Sequence, residues 1–197
     1  MSKEEMSLIL ASASPRRKEL LSCITEDFKV IPAKNEEKID LALSPDKAVI
    51  YVAGQKAEEV SALYPKDIVI GADTTVFCQN IPLGKPKDSD DAKEMLKMLS
   101  GKVHKVITAA VIAVGGKAVR SFAEETEVEF YPLSEEEIDL YVKSGEPMDK
   151  AGAYGIQGKG SLLIKGIKGD YYNVMGLPVS RLYRELTAFV SENKENV

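Results

Sequence analysis

The chain alternates between two hydrophobic periods, and the changes between them predict strands and helices in irregular order. Short apolar or β-branched runs are typical of strands, and they occupy residues 7–11, 28–33, 67–79, 106–131 (two strands) and 161–172 (several short ones). Apolar positions three or four residues apart are typical of helices, and they follow Ser14 and recur over residues 44–65, 89–101, 134–147 and 176–193.

Turn and cap residues predict where these elements begin and end. Asn80 and the pair Gly115-Gly116 predict tight hairpin turns. Ser134 and Glu137 form the sequence pattern of a capping box. Because hairpins interrupt the alternation of strands and helices, the sequence favours an α/β fold in which helices pack on a mixed sheet, over a doubly wound fold.

The first predicted helix begins with two arginines, in the sequence LASASPRRKELL. Ser14 is a favoured N-cap, and Pro15 suits the first helical position. Arg16 and Arg17 then lie in the first turn, where the backbone N–H groups already carry partial positive charge, at a cost of about 0.3–1 kcal/mol. A bound anion would offset this cost, whereas two arginines that simply point into water are the alternative.

Asp73 lies inside the strongly apolar strand IVIGADTTV. The period of two places its side chain on the same face as Gly71 and Thr75. A carboxylate in such a strand requires a hydrogen-bonding partner, a cation or a metal ion, and Gly71 leaves that face open to a ligand or to backbone. We therefore interpret Asp73 as a functional residue, the alternative being an aspartate that fastens a neighbouring loop.

Composition limits the function. The chain has 197 residues, enough for one large domain or two small lobes, and we predict one domain over residues 1–197. Its 44% hydrophobic and 29% charged residues are typical of a soluble globular protein. Its net charge of -5 argues against broad binding to nucleic acid. No apolar run approaches the length of a membrane span, and Cys23 and Cys78 have neither disulfide nor metal spacing, so we expect a cytoplasmic protein.

Histidine chemistry has little support, because His104 is the only histidine in the chain. One histidine excludes a zinc site made of several histidines and argues against a Ser-His-Asp hydrolase. We expect His104 at a strand edge or in a loop.

Further charged and polar residues are candidate site residues only when they are considered together with Asp73. Glu36 or Glu37, which follow the second predicted strand, could join Asp73 as oxygen ligands of Mg²⁺ or Mn²⁺. Lys56 falls in a helix and Lys85 in the loop LGKPKD, and each taken alone is more typical of an exposed lysine.

The loop GAYGIQGKG contains Gln157, whose planar amide suits the edge of a nucleobase, although Gly-rich loops are more often plain turns. Cations and carboxylates without a nucleophile–base pair match metal-assisted attack of water on a phosphate. The chain lacks both G-x-x-x-x-G-K-[ST] and G-x-G-x-x-G, which argues against P-loop enzymes and a Rossmann dinucleotide site.

Eight motifs give the chain a clear resemblance to the Maf family, the septum-formation-inhibitor-like nucleoside triphosphate pyrophosphatases. They are LASASPRRKELL, NEE, QKA, GADTTV, GKP, LSGKVHKVIT, YVKSGEPMDKAGAYGIQG and IKGDYYNVMGLP. The resemblance covers Leu8 to about Leu186. It implies a twisted mixed sheet flanked by helices, with two lobes around a central cleft, like the inosine triphosphatase superfamily. It also implies a possible homodimer and hydrolysis between the α- and β-phosphates, with Mg²⁺ or Mn²⁺ as cofactor.

Site residues follow from the same resemblance, position by position. Asp73 matches the family's proton acceptor, and Glu37 matches the second, metal-linked acid, with Glu36 as its rival. Lys56 and Lys85 match active-site lysines. The residues that match triphosphate contacts at the helix start are Ser12, Arg16 and Arg17.

Three positions place the chain in the dTTP/UTP branch of the resemblance: Arg16 after the proline, Thr74 after the catalytic aspartate, and Gln157 in GIQG. The implied reaction is hydrolysis of dTTP and UTP, by attack of water at the α-phosphate, to the nucleoside monophosphate and pyrophosphate. One alternative is a pyrophosphatase for another nucleotide, including modified pyrimidines. The other is a nucleotide-binding regulator of cell division in which hydrolysis is incidental.

Overall fold

A computed structural model describes residues 6–35, 40 and 42–194. The strands are β1 Leu8–Leu10, β2 Lys29–Val30, β3 Ile68–Cys78, β4 Ile81–Leu83, β5 Val103–Val114, β6 Lys117–Phe130 and β7 Ile164–Lys168. The helices are α1 Pro15–Ser22, α2 Pro45–Leu63, α3 Ser89–Leu99, α4 Glu135–Lys143, α5 Tyr171–Met175 and α6 Val179–Lys194. Short 3₁₀ segments lie at Glu146–Asp149, Ala151–Ala153 and Gly158–Leu163.

The strands form one mixed sheet in the order β2-β1-β3-β5-β6-β7, with β4 paired to β3. β1 is parallel to β2 and β3, whereas β4 is antiparallel to β3 and β7 is antiparallel to β6. The predicted α/β class with a mixed sheet is confirmed. No helix in the described part of the chain is long and apolar enough to cross a bilayer.

The predicted hairpin turns are present. Gln79 and Asn80 both have positive φ between β3 and β4, and Gly115 and Gly116 have positive φ between β5 and β6. This left-handed pair is what a two-residue hairpin loop needs, because it matches the twist of the strands. The Ser134/Glu137 capping box also forms at the start of α4.

The chain divides into two compact units. Unit 1 comprises the described parts of Met1–Asp73, Thr108–Glu124 and Gly176–Val197, and unit 2 comprises Thr74–Ile107 and Glu125–Met175. In unit 1, an apolar cluster packs α2 on the first strands through Ile9, Ala11, Val60 and Val69. In unit 2, a larger cluster includes Leu96, Leu99, Phe130, Ile138 and Tyr154.

Gly71 is the point at which α2 approaches β3. A Cβ atom on Gly71 would lie 2.4 Å from the Ala53 carbonyl oxygen and 2.7 Å from the Ala57 nitrogen. The open face predicted at Gly71 is therefore occupied by helix backbone. This close approach brings the 53–57 turn of α2 onto the face of β3 that carries Asp73.

We expect Gly71→Ala to destabilise unit 1. Backbone cannot rotate out of the way, so α2 must shift, and overpacking of this kind costs about 1–3 kcal/mol. Urea denaturation measures the loss of unfolding free energy.

Gly54→Ala, inside α2, is the matched control for that change. Nothing lies within 4 Å of a Cβ atom at Gly54, and alanine is the better helix former by about 0.5–1 kcal/mol. Equal effects of the two substitutions would contradict the close approach at Gly71.

The segment 161–172 differs from its prediction. Its one strand is β7, and residues 171–175 form the helix α5 in place of a further strand. Asn173 explains the change, because its buried Nδ2 donates to the Val106 carbonyl at 3.0 Å and to Thr126 Oγ1 at 2.9 Å. Thr126 Oγ1 also accepts from the Asp170 N–H at 3.0 Å. These tertiary hydrogen bonds turn the chain where the local pattern predicts extension.

His104 is a core residue of unit 2, so its expected place at a strand edge or in a loop is wrong. It is the second residue of β5, is buried, and makes edge-to-face contacts with Phe130 and Tyr154. Its Nε2 lies 2.7 Å from the Tyr154 hydroxyl. Burial lowers the pKa of His104 from 6.5 to about 4.

We expect this histidine to make folding sensitive to acid. Well above pH 6.5 the imidazole is neutral in both the folded and the unfolded state, so it adds no pH dependence there. As the pH falls from 6.5 towards 4, the unfolded chain binds a proton that the folded chain does not, and stability decreases by up to about 3 kcal/mol. Denaturation curves between pH 7 and 4.5 measure the slope. His104→Gln, which can still bond to Tyr154, should have a shallower slope, and identical slopes would contradict the assignment.

Candidate active site

The start of α1 has the structure that its sequence predicts. Ser14 is the N-cap, its side chain accepts a hydrogen bond from the Arg17 N–H at 3.4 Å, and Pro15 occupies the first turn. The first turn contains no acidic residue. Two guanidinium groups and the positive end of the helix dipole thus lie in one turn, which is an arrangement that favours a bound anion.

Arg17 makes contacts beyond its own turn. Its Nε donates to the Gly176 carbonyl at 2.9 Å, and its NH1 donates to Ser12 Oγ at 3.2 Å. Ser12 Oγ also accepts from the Ser14 N–H at 3.3 Å, and Ser12 is buried. The hydroxyl of Ser12 therefore joins the loop before α1 to the guanidinium group, so that Arg17 is oriented before any ligand arrives.

The strand register relates this helix start to Asp73. Leu10, the last residue of β1, pairs with Ile70 of the parallel strand β3. Continued by two residues, the register places Ser12 level with Ala72. Neighbouring strands are about 4.8 Å apart, so the loop that leads into α1 runs beside the part of β3 that carries Asp73.

Asp73 forms an ion pair with Lys56 of α2. The Lys56 Nζ donates to Asp73 Oδ1 at 2.8 Å and to the Ala72 carbonyl at 3.4 Å. The lysine side chain is 8% exposed and the aspartate side chain 15% exposed, so this pair is largely shielded from water. An ion pair in such a place is well oriented but costly to desolvate, which is typical of a functional site.

The described part of unit 1 thus contains five of the predicted site residues, namely Ser12, Arg16, Arg17, Lys56 and Asp73. In the structure, Ser12 contacts Arg17 and Lys56 contacts Asp73. Three of the five are cations and one is a carboxylate. Such a set can bind a polyanion while a base remains available next to it.

Three other predicted residues belong to unit 2. Thr74 follows Asp73 directly on β3 and is partly buried. Lys85 is exposed in the loop after β4, where the Gly84 carbonyl accepts from the Gly152 N–H at 3.0 Å. Gln157 is exposed at the N-terminal end of the 3₁₀ segment Gly158–Leu163.

The predicted second acid, Glu37, and its rival Glu36 lie outside the described residues. Within residues 6–35, 40 and 42–194, no group of three His, Cys, Asp or Glu side chains is placed to hold a metal ion. Magnesium is often held by one or two carboxylates together with substrate phosphates, and an aspartate oxygen is the ligand type that it prefers. The chemistry of Asp73 therefore fits such a cation.

The carbonyl of Gly176 is a part of the site that the sequence does not indicate. It contacts a side chain 159 residues earlier in the chain, and Gly176 itself has a φ of 118°. A glycine before Leu-Pro signals an unusual backbone conformation, but nothing local indicates which side chain its carbonyl would accept from.

The comparisons with known proteins agree over nearly the whole chain. The sequence profile of a family described as "Maf-like protein" matches residues 7–189. A "dTTP/UTP pyrophosphatase" from Bacillus cereus (strain B4264) is 52% identical over 182 residues, covering 92% of this chain and 95% of the relative. A "dTTP/UTP pyrophosphatase" from Agathobacter rectalis is 54% identical over 196 residues, covering 91% of this chain and 95% of the relative.

The fold has a counterpart among solved structures. A HAM1 protein from Coxiella burnetii superposes with a TM-score of 0.53 at 15% sequence identity, covering 93% of this chain and 100% of that chain. At this level of identity the likeness concerns the fold alone.

Proposed function

The chain belongs to the Maf family, and from this premise we propose that it hydrolyses dTTP and UTP to the nucleoside monophosphate and pyrophosphate. The observation that carries the proposal is the identity of 52–54%, over more than nine-tenths of the chain, to relatives named dTTP/UTP pyrophosphatase. The geometry of unit 1 supports it, because a triphosphate is the kind of anion that the start of α1 can bind.

In this proposal, Arg17 and the N–H groups of α1 bind phosphate oxygens of the substrate. Hydrogen bonds from the guanidinium group to the Gly176 carbonyl and to Ser12 Oγ fix its direction, so that little order is lost when the nucleotide binds. Arginine suits this role because its planar fork can donate two parallel hydrogen bonds to a phosphate. The unfavourable charge of two arginines at a helix start is offset while the triphosphate is bound.

Asp73 is the proposed general base. Its carboxylate accepts a proton from water as the water oxygen forms a bond to the α-phosphorus. The bond from the α-phosphorus to the bridging oxygen breaks, and pyrophosphate leaves with the electron pair. Lys56 orients the carboxylate through the 2.8 Å contact, and Lys56 and Lys85 stabilise charge on the phosphates.

We also propose that Asp73 and Glu37 hold a divalent cation, Mg²⁺ or Mn²⁺, together with the triphosphate. When bound, such a cation neutralises charge on phosphate oxygens. The support for this proposal is the carboxylate chemistry of Asp73 and the preference of magnesium for few protein ligands.

Arg16, Thr74 and Gln157 are the proposed specificity residues for the pyrimidine base. The free thiols of Cys23 and Cys78 support a reducing compartment, and we place the enzyme in the cytoplasm. The homodimer stays a prediction.

A panel of nucleoside triphosphates tests the proposed function. We expect kcat/KM for dTTP and UTP to exceed that for dCTP, dATP and GTP by about tenfold or more, because the base is read through hydrogen bonds. Release of pyrophosphate in the presence of Mn²⁺ or Mg²⁺ is the measurement. 5-Methyl-UTP as a further substrate tests the alternative of modified pyrimidines. Thermal stabilisation by dTTP without any pyrophosphate would contradict hydrolysis and favour a nucleotide-binding regulator.

A further inference from the structure

The loop Gly155–Gly160 of unit 2 is closed tightly upon itself. A Cβ atom on Gly160 would lie 2.2 Å from the Gly155 carbonyl oxygen, so the two ends of the loop touch through backbone. Gln157 is exposed between these ends. Because three of its six residues are glycines, the shape of the loop depends on contacts from residues outside it.

Tyr141 of α4 supplies one such contact. Its hydroxyl oxygen accepts from the Gly155 N–H at 3.1 Å, and its ring is buried in the core of unit 2. The same oxygen lies 2.7 Å from the position of a Cβ atom on Gly160. The closed base of the loop therefore rests on a rigid helix.

Glu146 supplies the contact on the other side of Gln157. Its two carboxylate oxygens lie 3.1 and 3.3 Å from the Lys159 nitrogen and accept its backbone N–H. The carboxylate also lies 2.9 Å from the position of a Cβ atom on Gly158, which has a φ of 64°. A charged acceptor thus lies directly over the 158–159 peptide, where only glycine leaves room for it.

This use of Glu146 is not that of an ordinary surface carboxylate. The nearby ammonium of Lys150 bonds to Asp149 Oδ1 and to the backbone carbonyl of Glu146, both at 2.6 Å. The side chain of Glu146 is directed instead at a neutral N–H in the loop. A carboxylate that binds backbone next to an exposed polar side chain limits the directions in which that side chain can point.

We propose that Glu146 is a positioning residue for base recognition, holding the 158–159 peptide so that the amide of the nearby Gln157 meets the pyrimidine edge. The inference rests on the proposed function, and it assigns a role to a residue that does not itself contact the substrate. If the loop is loosened, Gln157 must be ordered when the nucleotide binds, and the cost falls on binding more than on the chemical step.

Glu146→Ala is the first test. We expect kcat/KM for dTTP to fall by about tenfold or more, mainly through KM, since small misplacements of a positioning group have effects of this size. For dCTP, which lacks the matching base edge, we expect a change below about threefold. The ratio of kcat/KM for dTTP to that for dCTP should therefore fall, as we also expect for Gln157→Ala. Hydrogen exchange of the Lys159 amide should become faster.

Two more variants separate positioning from folding. Glu146→Gln keeps an oxygen that can accept from the Lys159 N–H. This variant should therefore have the dTTP/dCTP ratio of the unmodified enzyme, and its Lys159 amide should exchange slowly. Gly158→Ala introduces a Cβ atom against the carboxylate and should reproduce the effect of Glu146→Ala. Glu94→Ala on α3 removes an exposed carboxylate paired with Lys97, and it should leave kcat/KM for both dTTP and dCTP unchanged.

The outcomes are distinct. An unchanged dTTP/dCTP ratio in Glu146→Ala, with a reduced ratio in Gln157→Ala, would overturn the positioning role and leave the proposed function intact. So would a fall in thermal stability with unchanged KM and unchanged Lys159 exchange. Absence of dTTP and UTP hydrolysis in the unmodified enzyme would overturn the proposed function, and this inference with it.

Discussion

Asp73→Asn is expected to lower kcat for dTTP by about 10²–10⁴-fold, the usual effect of removing a general base. The amide keeps the shape of the side chain and an oxygen that can still accept from Lys56, so the contact at 2.8 Å can persist. What is lost is the ability to take a proton from water. Steady-state pyrophosphate release at saturating dTTP measures the effect.

Stability must be measured beside activity, because Asp73 is half of a shielded ion pair. Removing one partner leaves Lys56 charged in a place where its side chain is only 8% exposed. Thermal unfolding with and without a non-hydrolysable dTTP analogue separates the two effects: the variant should still be stabilised by the analogue. Asp27→Asn, in the exposed segment between α1 and β2, is the matched control. Activity within threefold of the unmodified enzyme would exclude Asp73 as the base.

A double-substitution cycle tests the proposed link between Lys56 and Asp73. If Lys56 acts by orienting the carboxylate, Lys56→Ala should cost little further activity once Asp73 is Asn. If Lys56 also stabilises phosphate charge on its own, the two losses should add. Either result identifies the role of Lys56 in catalysis. Full activity of Lys56→Ala would exclude both roles.

The parts of the site that are local in sequence could be predicted. Ser14 and Pro15 determine the start of α1 by cap chemistry within four residues, so the place of Arg16 and Arg17 follows from the sequence. Asp73 is conspicuous because a carboxylate in an apolar strand needs a partner. That partner is on α2, and only the packing at Gly71 determines which residue of the helix reaches it.

The parts that depend on distant contacts could not be predicted. The turn at Asn173 exists because its amide is buried against Val106 and Thr126, although the local pattern favours a strand. His104 reads as polar, yet it is buried because its ring packs on Phe130 and Tyr154. In each case tertiary packing overrides local preference, and hydrophobic periodicity contains no information on it.

Arg17→Lys is expected to lower kcat/KM for dTTP by about 10²–10³-fold, similar to the loss of a preorganised donor to a developing charge. Lysine keeps the charge but cannot donate to the Gly176 carbonyl and to Ser12 while presenting a planar fork to phosphate. A positive charge at this position should therefore not support full activity unless its hydrogen-bond donors are correctly oriented. Arg120→Lys, at an exposed pair with Glu192, is the matched control.

Nucleotide-dependent stability distinguishes this role from a structural one. In the absence of nucleotide, Arg17→Ala removes a cation from the positive end of α1, a gain of about 0.3–1 kcal/mol, but it also removes the hydrogen bonds to Gly176 and Ser12, each worth about 0.5–1.5 kcal/mol or more. The loss exceeds the gain, so the unfolding temperature of the variant should fall moderately. The rise in unfolding temperature caused by a non-hydrolysable dTTP analogue should be largely lost, because stabilisation by a ligand scales with its affinity. A variant that unfolds earlier but retains the full rise would show that Arg17 serves the fold and not the triphosphate.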